Sequence, residues 1–225
     1  METWVIVAAE AREFAGLLKR ASEVRPLPCP DAAFAREILW RGDRWMLLAN
    51  GPGPRLVDRM LSSSAIATWH AQRVMSVGFC GALDPALHVG DIVISGEGFE
   101  SSSTRFVRGE IWSADRVVVS SGEKRQLRQS TGAAVVEMEA AAVAEKARKW
   151  GLPFRVVKAV SDTADEDLPL DFNHYRDRDG RFRVPRIAAS ALLHPFTTMP
   201  ALLRLNRNCQ QAAENLGEFL ADCEF

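Results

Sequence analysis

A chain of 225 residues with 47% hydrophobic side chains carries enough apolar material for one large core or two small ones. Its 28 basic and 29 acidic side chains leave a net charge of −1, which supplies no long-range field toward nucleic acid or a membrane surface. Small molecules or other proteins are the expected partners. Cys29, Cys80, Cys209 and Cys223 stand far apart with no C-x-x-C pair, which argues against a metal site and against a disulfide framework. The start, Met1-Glu2-Thr3-Trp4, lacks the basic stretch of a secretory signal, and no run approaches about 18 apolar residues. The reading is a cytoplasmic protein without a transmembrane segment.

In chain order, residues 4–9 read as a strand feeding a helix with Phe14, Leu17 and Leu18 on one face. The proline-rich stretch 25–30 reads as a connector. Residues 45–49 form a strand ended by Asn50-Gly51-Pro52-Gly53-Pro54, and a helix follows with Leu56, Val57, Met60 and Leu61 inward. Residues 74–77 form a third strand that ends in the loop Gly78-Phe79-Cys80-Gly81-Ala82. Gly90-Asp91 turns into a strand at 92–94. Residues 96–116, with Ser101, Ser102 and Ser103, show little periodicity and read as a mobile loop. A strand at 117–119 and a polar helix near 122–130 follow. The helix opened by Val136-Glu137-Met138-Glu139-Ala140 has Ala142, Val143, Ala147 and Trp150 at helical spacing, with Gly151 as C-cap and Pro153 as stop. A buried strand at 154–160 delivers Ser161-Asp162-Thr163-Ala164-Asp165. Residues 165–183 read as a solvated loop, and about 200–219 as an amphipathic tail helix. Strands alternating with helices, without a long linker, give a single α/β domain spanning 1–225: a central mixed sheet flanked by helices.

Acidic groups at both ends of one βα-type unit converge near a strand's carboxyl end, where open α/β sheets bind ligands. Glu137 and Glu139 fit helix N-terminal carboxylates favoured by the dipole. That account leaves out Asp162, which follows apolar Val, Ala and Val. Desolvation there raises a carboxyl pKa and makes it a usable general acid. Gly51-Pro52-Gly53-Pro54-Arg55-Leu56 starts like a dinucleotide fingerprint but has Leu56 where the third glycine belongs, which disfavours a nucleotide-dependent oxidoreductase. Cys80 reads as a small apolar filler, and His70, His88, His174 and His194 have neither metal nor triad spacing.

Three motifs, in order, resemble the superfamily of purine nucleoside phosphorylases and methylthioadenosine/adenosylhomocysteine nucleosidases. They are V-G-F-C-G-A-L-D-P-A-L-H-V-G-D-I-V at 77–93, V-E-M-E-A-A-A-V-A at 136–144 and A-V-S-D-T-A-D at 159–165. Within it, D-G-R-F and the P-A-L-L-R-L-N-R run at 200–207 look most like the bacterial hopanoid-associated phosphorylase branch. The resemblance implies that Asp162 serves the leaving purine, Glu139 holds the ribose hydroxyls and Met138 packs on the sugar. Gly78, Phe79, Cys80, Glu137 and Ser161 are then further substrate contacts. It also implies that Glu13 positions an attacking water, with Glu10 as the competing candidate. Two departures concern phosphate. Phe79 stands where relatives often carry serine, and Ser76 where some phosphorylases place an arginine, leaving Arg12, Arg55 and the Gly53 turn as candidate phosphate ligands. The segment between Val119 and Val136 is short compared with nucleosidases. The implied function is cleavage of a purine nucleoside's N-glycosidic bond without metal or organic cofactor. Phosphorolysis comes first, with phosphate as co-substrate, on a substrate with a hydrophobic 5′ substituent such as an adenosylated hopanoid. A hydrolytic nucleosidase is the alternative, and a non-catalytic nucleoside-binding protein the rival of another class. A homo-oligomer, most simply a dimer, is implied as well.

Overall fold

The computed structural model describes residues 1–96, 99 and 104–224. Its centre is β1 (Thr3–Ala8), whose six residues are all buried, as a strand covered on both faces must be. The chain passes through a short 3₁₀ turn (Ala11–Phe14) into α1 (Ala15–Arg20). It then forms β2 (Val24–Pro26), β3 (Phe34–Trp40) and β4 (Asp43–Ala49) before α2 (Pro54–Leu61) and the single turn α3 (Ser64–Ala67). Next come β5 (Arg73–Ala82), β6 (Ile92–Ser95), β7 (Phe106–Arg108) and β8 (Ile111–Ser113). They lead into α4 (Ser121–Thr131), β9 (Val135–Glu137), α5 (Ala140–Trp150), β10 (Phe154–Asp162), α6 (Val184–Leu193) and α7 (Thr198–Asp222).

The ten strands make one mixed sheet in the order β2-β3-β4-β1-β5-β10-β6-β7, with β9 on β5 and β8 on β9. The heart, β4-β1-β5-β10, is parallel. Side chains alternate along β1, so Trp4, Ile6 and Ala8 join one core layer with α1 and α7, while Val5 and Val7 join the other with α2 and α5. The expected α/β class, with a mixed sheet between helices, is the observed one. On one face α7 lies unusually close to α1. A Cβ on Gly217 would sit 2.2 Å from the Gly16 carbonyl carbon, and one on Gly16 would sit 2.1 Å from the Ala213 carbonyl oxygen.

Several local readings need correction. The glycine segment 78–82 is not a loop after a strand. It continues β5, whose last residues leave β10 and pair with β9 at Gly81–Val136 and Ala82–Val135. Glu137 belongs to β9, and Glu139 holds the N-cap position of α5. Residues 96–116 contain β7 and β8, while Ser101, Ser102 and Ser103 lie outside the described residues. Residues 117–119 form no strand. The proline-rich connector yields the short strand β2, and β3 and α6 had no counterpart in the reading.

Candidate active site

The three expected carboxylates meet at one cavity of about 550 Å³, bounded by the C-terminal ends of β1, β5 and β10 and the start of α5. Glycine makes the approach possible. Gly78 has φ +127°, and a Cβ there would lie 1.8 Å from Glu13 Oε2. Three residues on, a Cβ at Gly81 would lie 2.9 Å from Asp162 Oδ2. The glycines of β5 therefore leave the space that two acid side chains occupy.

Glu13 is buried, with Oε1 accepting from Glu10 N–H (3.0 Å) and Oε2 from Phe79 N–H (3.2 Å). Burial, with the charge of Glu139 added, pushes its carboxyl up to about 8. Glu139 accepts the Gly53 N–H at 2.8 Å, and burial with the Glu137 charge pushes it up to about 7. Glu137 accepts the N–H groups of Glu139 and Ala140 at the start of α5, so the dipole account fits it well. Ser113 also donates to it. Burial opposes its charge, yet Lys158 at 2.8 Å and these donors hold its pKa below the usual value.

Lys158 is the group that sequence reasoning missed. It lies fully buried in β10, donates to Val77 C=O at 3.1 Å and stands 2.8 Å from Glu137 and 4.0 Å from Glu139. Burial works against its charge, but Glu137 and Glu139 outweigh that and hold its pKa above the ordinary lysine value. The available signal was a lone lysine inside the apolar run 154–160, since a strand buried on both faces admits a charge only when it is paired. One ammonium thus serves three carboxylates, and Glu13 and Glu139 retain protons that Glu137 gives up.

Asp162 corrects a second expectation. It does not stand alone at an apolar strand end, because Lys124 Nζ approaches its Oδ2 to 2.6 Å. Ser161 Oγ–H donates to its Oδ1 at 2.7 Å. Lys124 is fully buried and also donates to the carbonyls of Thr163 and Glu166, at 2.7 and 3.0 Å. It comes from α4, read as merely polar. The capping box of Ser120 and Glu123 announces that helix's start, but nothing in its pattern marks Lys124 as inward.

Phe79, Met138 and Pro52 line the cavity, as do Phe172 and Phe182 from the segment read as a solvated loop. That segment is tied down: Arg176 donates to the carbonyls of Gly180 (2.9 Å) and Pro52 (3.1 Å). The far wall is apolar, made by Val184, Ile187 and Ala188 of α6 and by Leu202 and Leu205 of α7. Cys80 reaches the cavity but packs with Ala82, Leu87 and Val93, and burial lifts its thiol well above its ordinary pKa, as befits a filler. Burial likewise pushes Cys209 up to about 11.

The candidate phosphate ligands fare less well. Arg12 is at the mouth, paired with Glu10 at 2.5 Å and placed 5.8 Å above the Phe79 ring. Gly53 already gives its N–H to Glu139. Arg55 is outside the site, exposed on α2 beside a separate cleft with Asp58, Glu145 and Lys146. Ser76 is fully buried within β5. His88 and His174 are surface residues beside Asp91 and Asp171, and no metal-holding cluster of His, Cys, Asp or Glu occurs among the described residues.

The family model described as the Phosphorylase superfamily matches residues 95–193. Among solved structures, futalosine hydrolase of Helicobacter pylori (a mutant form) is 18% identical, with 99% of this chain and 98% of that chain covered and a TM-score of 0.71. The 5′-methylthioadenosine/S-adenosylhomocysteine nucleosidase of Neisseria meningitidis, complexed with methylthio-immucillin-A, is 22% identical over 99% of this chain and 98% of that one, with a TM-score of 0.70. A mutant of the Helicobacter pylori nucleosidase with 5′-methylthioadenosine in its active site is 18% identical, with 98% and 96% covered and a TM-score of 0.71. At these identities the likeness is one of fold.

Proposed function

We propose that this protein cleaves the N-glycosidic bond of a purine nucleoside with water as nucleophile. The observation that carries this reading is the cluster of Glu13, Glu137 and Glu139 around the single ammonium of Lys158, lining one cavity with Asp162. Glycosidic cleavage passes through an oxocarbenium-like state, and the ionised forms of Glu13 and Glu139 stabilise the positive charge that develops on the sugar. The C1′–N bond breaks with its electron pair going to the base, which takes up a proton through the Asp162–Lys124 pair. Water adds at C1′ and gives its proton to Glu13. Glu139, fixed by Gly53 N–H, faces the ribose hydroxyls, and Met138 packs on the sugar.

The same cluster speaks against phosphate. A phosphate anion entering beside these carboxyl groups would meet Arg12 and Arg116, and each is already paired, Arg12 with Glu10 and Arg116 with Glu123. Phosphorolysis, the first reading of the sequence, therefore lacks its ligands, and hydrolysis fits better. The apolar wall from α6 and α7 supports a substrate with a hydrophobic 5′ substituent, which is also what the hopanoid-branch motifs imply. The test is incubation with adenosine and 5′-alkylated adenosines, with and without phosphate, measuring free adenine and the sugar product. Adenine with free ribose, independent of phosphate, is expected. Ribose 1-phosphate formed only with phosphate present would replace water by phosphate, and no adenine from any of these would return the protein to the class of nucleoside binders.

A further inference from the structure

The near-neutral charge of the whole chain conceals a strong local asymmetry. From 180 to 213 there is no aspartate or glutamate, while Arg181, Arg183, Arg186, Arg204 and Arg207 fall in that span. This is the segment of α6, its turn and the first half of α7. Its tip is also the most conspicuous apolar surface of the described residues. Leu192 is 69% exposed, Leu193 77% and Phe196 92%, and Leu203 at the start of α7 is 54% exposed. Scattered apolar residues on a surface need no explanation, but four within twelve positions of one helical hairpin form a patch.

The arginines are arranged around that patch. Arg186 precedes Leu193 by seven residues, two helical turns along the same face and about 10 Å back from the tip. Arg207 follows Leu203 by one turn on the face of α7 that carries it. Arg183, Arg186 and Arg207 form no ion pair among the described residues, and Arg204 reaches Glu166 at 3.2 Å while staying exposed. A helical tip of leucine and phenylalanine, backed by unpaired arginines at headgroup distance, has the chemistry of an interfacial anchor. A second copy of the chain would have to bring carboxylates to meet this patch, and the patch supplies none of its own.

We propose that the α6–α7 tip docks on an anionic lipid surface, with Leu192, Leu193 and Phe196 entering the acyl boundary and Arg186 and Arg207 meeting the headgroups. No helix of the described residues is long and apolar enough to cross a bilayer, so the attachment is peripheral. The inner faces of the same two helices, through Ile187, Ala188, Leu202 and Leu205, form the apolar wall of the cavity. A docked molecule would therefore hold that wall next to the lipid. The docking itself does not depend on which reaction the cavity performs.

The experiment is flotation of the purified protein with vesicles of pure phosphatidylcholine and with vesicles containing phosphatidylglycerol, at low and high salt. Binding to the anionic vesicles is expected, weakened by salt. The triple variant Leu192→Ser, Leu193→Ser, Phe196→Ser should lower it by at least roughly tenfold, and Arg186→Glu with Arg207→Glu by a similar factor. None of these positions holds a core contact, and thermal melts of the variants establish that they fold. No flotation with anionic vesicles, or flotation indifferent to both sets of substitutions, overturns the proposal. Sedimentation in the absence of lipid supplies the other decisive outcome: a wild-type dimer that the triple variant converts to monomer assigns the patch to a second copy instead.

Discussion

At the scale of single residues, the site is organised by two buried lysines, Lys158 beside Glu137 and Glu139 and Lys124 beside Asp162. Lys124 makes Asp162 a paired group, so the two cannot be altered independently. Removing one member of a buried pair leaves an uncompensated charge and costs about 3–5 kcal/mol. Lys124→Met should therefore destabilise the protein by that order, and Lys124→Met with Asp162→Asn should recover most of the loss in a denaturation experiment. Asp162→Asn alone should retain ligand binding while lowering turnover by roughly 10²–10⁴-fold. Near-normal turnover would remove Asp162 from the chemistry. Glu13 allows a sharper test. With its carboxyl near 8, it can serve as the proposed base toward water only once ionised, so kcat/KM should climb as pH rises from about 6 to about 8. Glu13→Gln should abolish that rise together with hydrolysis. A flat profile, or an active Gln variant, would take the base role from Glu13.

At the scale of elements, the closest helix contact makes the clearest prediction. Gly217 lies in α7 against the backbone of Gly16 and Leu17, and a methyl group would come within 2.2 Å of it. Gly217→Ala must push α7 off α1, and overpacking of this kind costs about 1–3 kcal/mol. Since α7 also forms part of the cavity wall, the variant should lose both melting temperature and affinity for a substrate with an apolar tail. An unaltered melt would mean that the two helices part without cost. How far the sequence revealed its elements follows from the same physics. β1 and α2 were legible because their apolar residues keep one period throughout, as Leu56, Val57, Met60 and Leu61 show. β5 was cut short because Gly78 and Gly81 look like turn residues. Their role is to admit Glu13 and Asp162, a long-range requirement with no local signature. α6 was invisible because its outer face is apolar too, which blurs the contrast between inner and outer positions. Glu13, Glu139 and Asp162 were legible through motifs; Lys158 and Lys124 were not, because nothing local tells a buried cation from an exposed one.

At the scale of the whole molecule, we propose that the chain forms a two-fold dimer, with Trp112 as a contact. Trp112 is 45% exposed on β8, which pairs only with β9 among the described residues and so leaves an edge for a second copy. Sedimentation should show a dimer that Trp112→Lys weakens, and a monomer at working concentration would contradict it. The acid cluster makes a further demand on the molecule as a whole. Glu13 and Glu139 are raised from an ordinary 4.5 to about 8 and about 7. Between those values the folded chain holds protons that the unfolded chain has released. The unfolded state then binds fewer protons, and stability falls as pH rises through the window. Each group contributes a decline of up to about 1.4 kcal/mol per pH unit while it is protonated only in the folded state. Glu137 has the opposite sign, but its lowered pKa confines its effect to acid below 4.5, and the raised pKa of Lys158 acts only in the alkaline range. The melting temperature should therefore drop as the pH is taken from about 5 to about 8, at roughly 2–4 °C per kcal/mol for a chain of this size. Glu13→Gln, which cannot release a proton, should flatten the upper half of that decline and leave the variant more stable than wild type near pH 8. A melting temperature that is constant or rising over this interval would mean that the cluster is compensated by a cation other than Lys158.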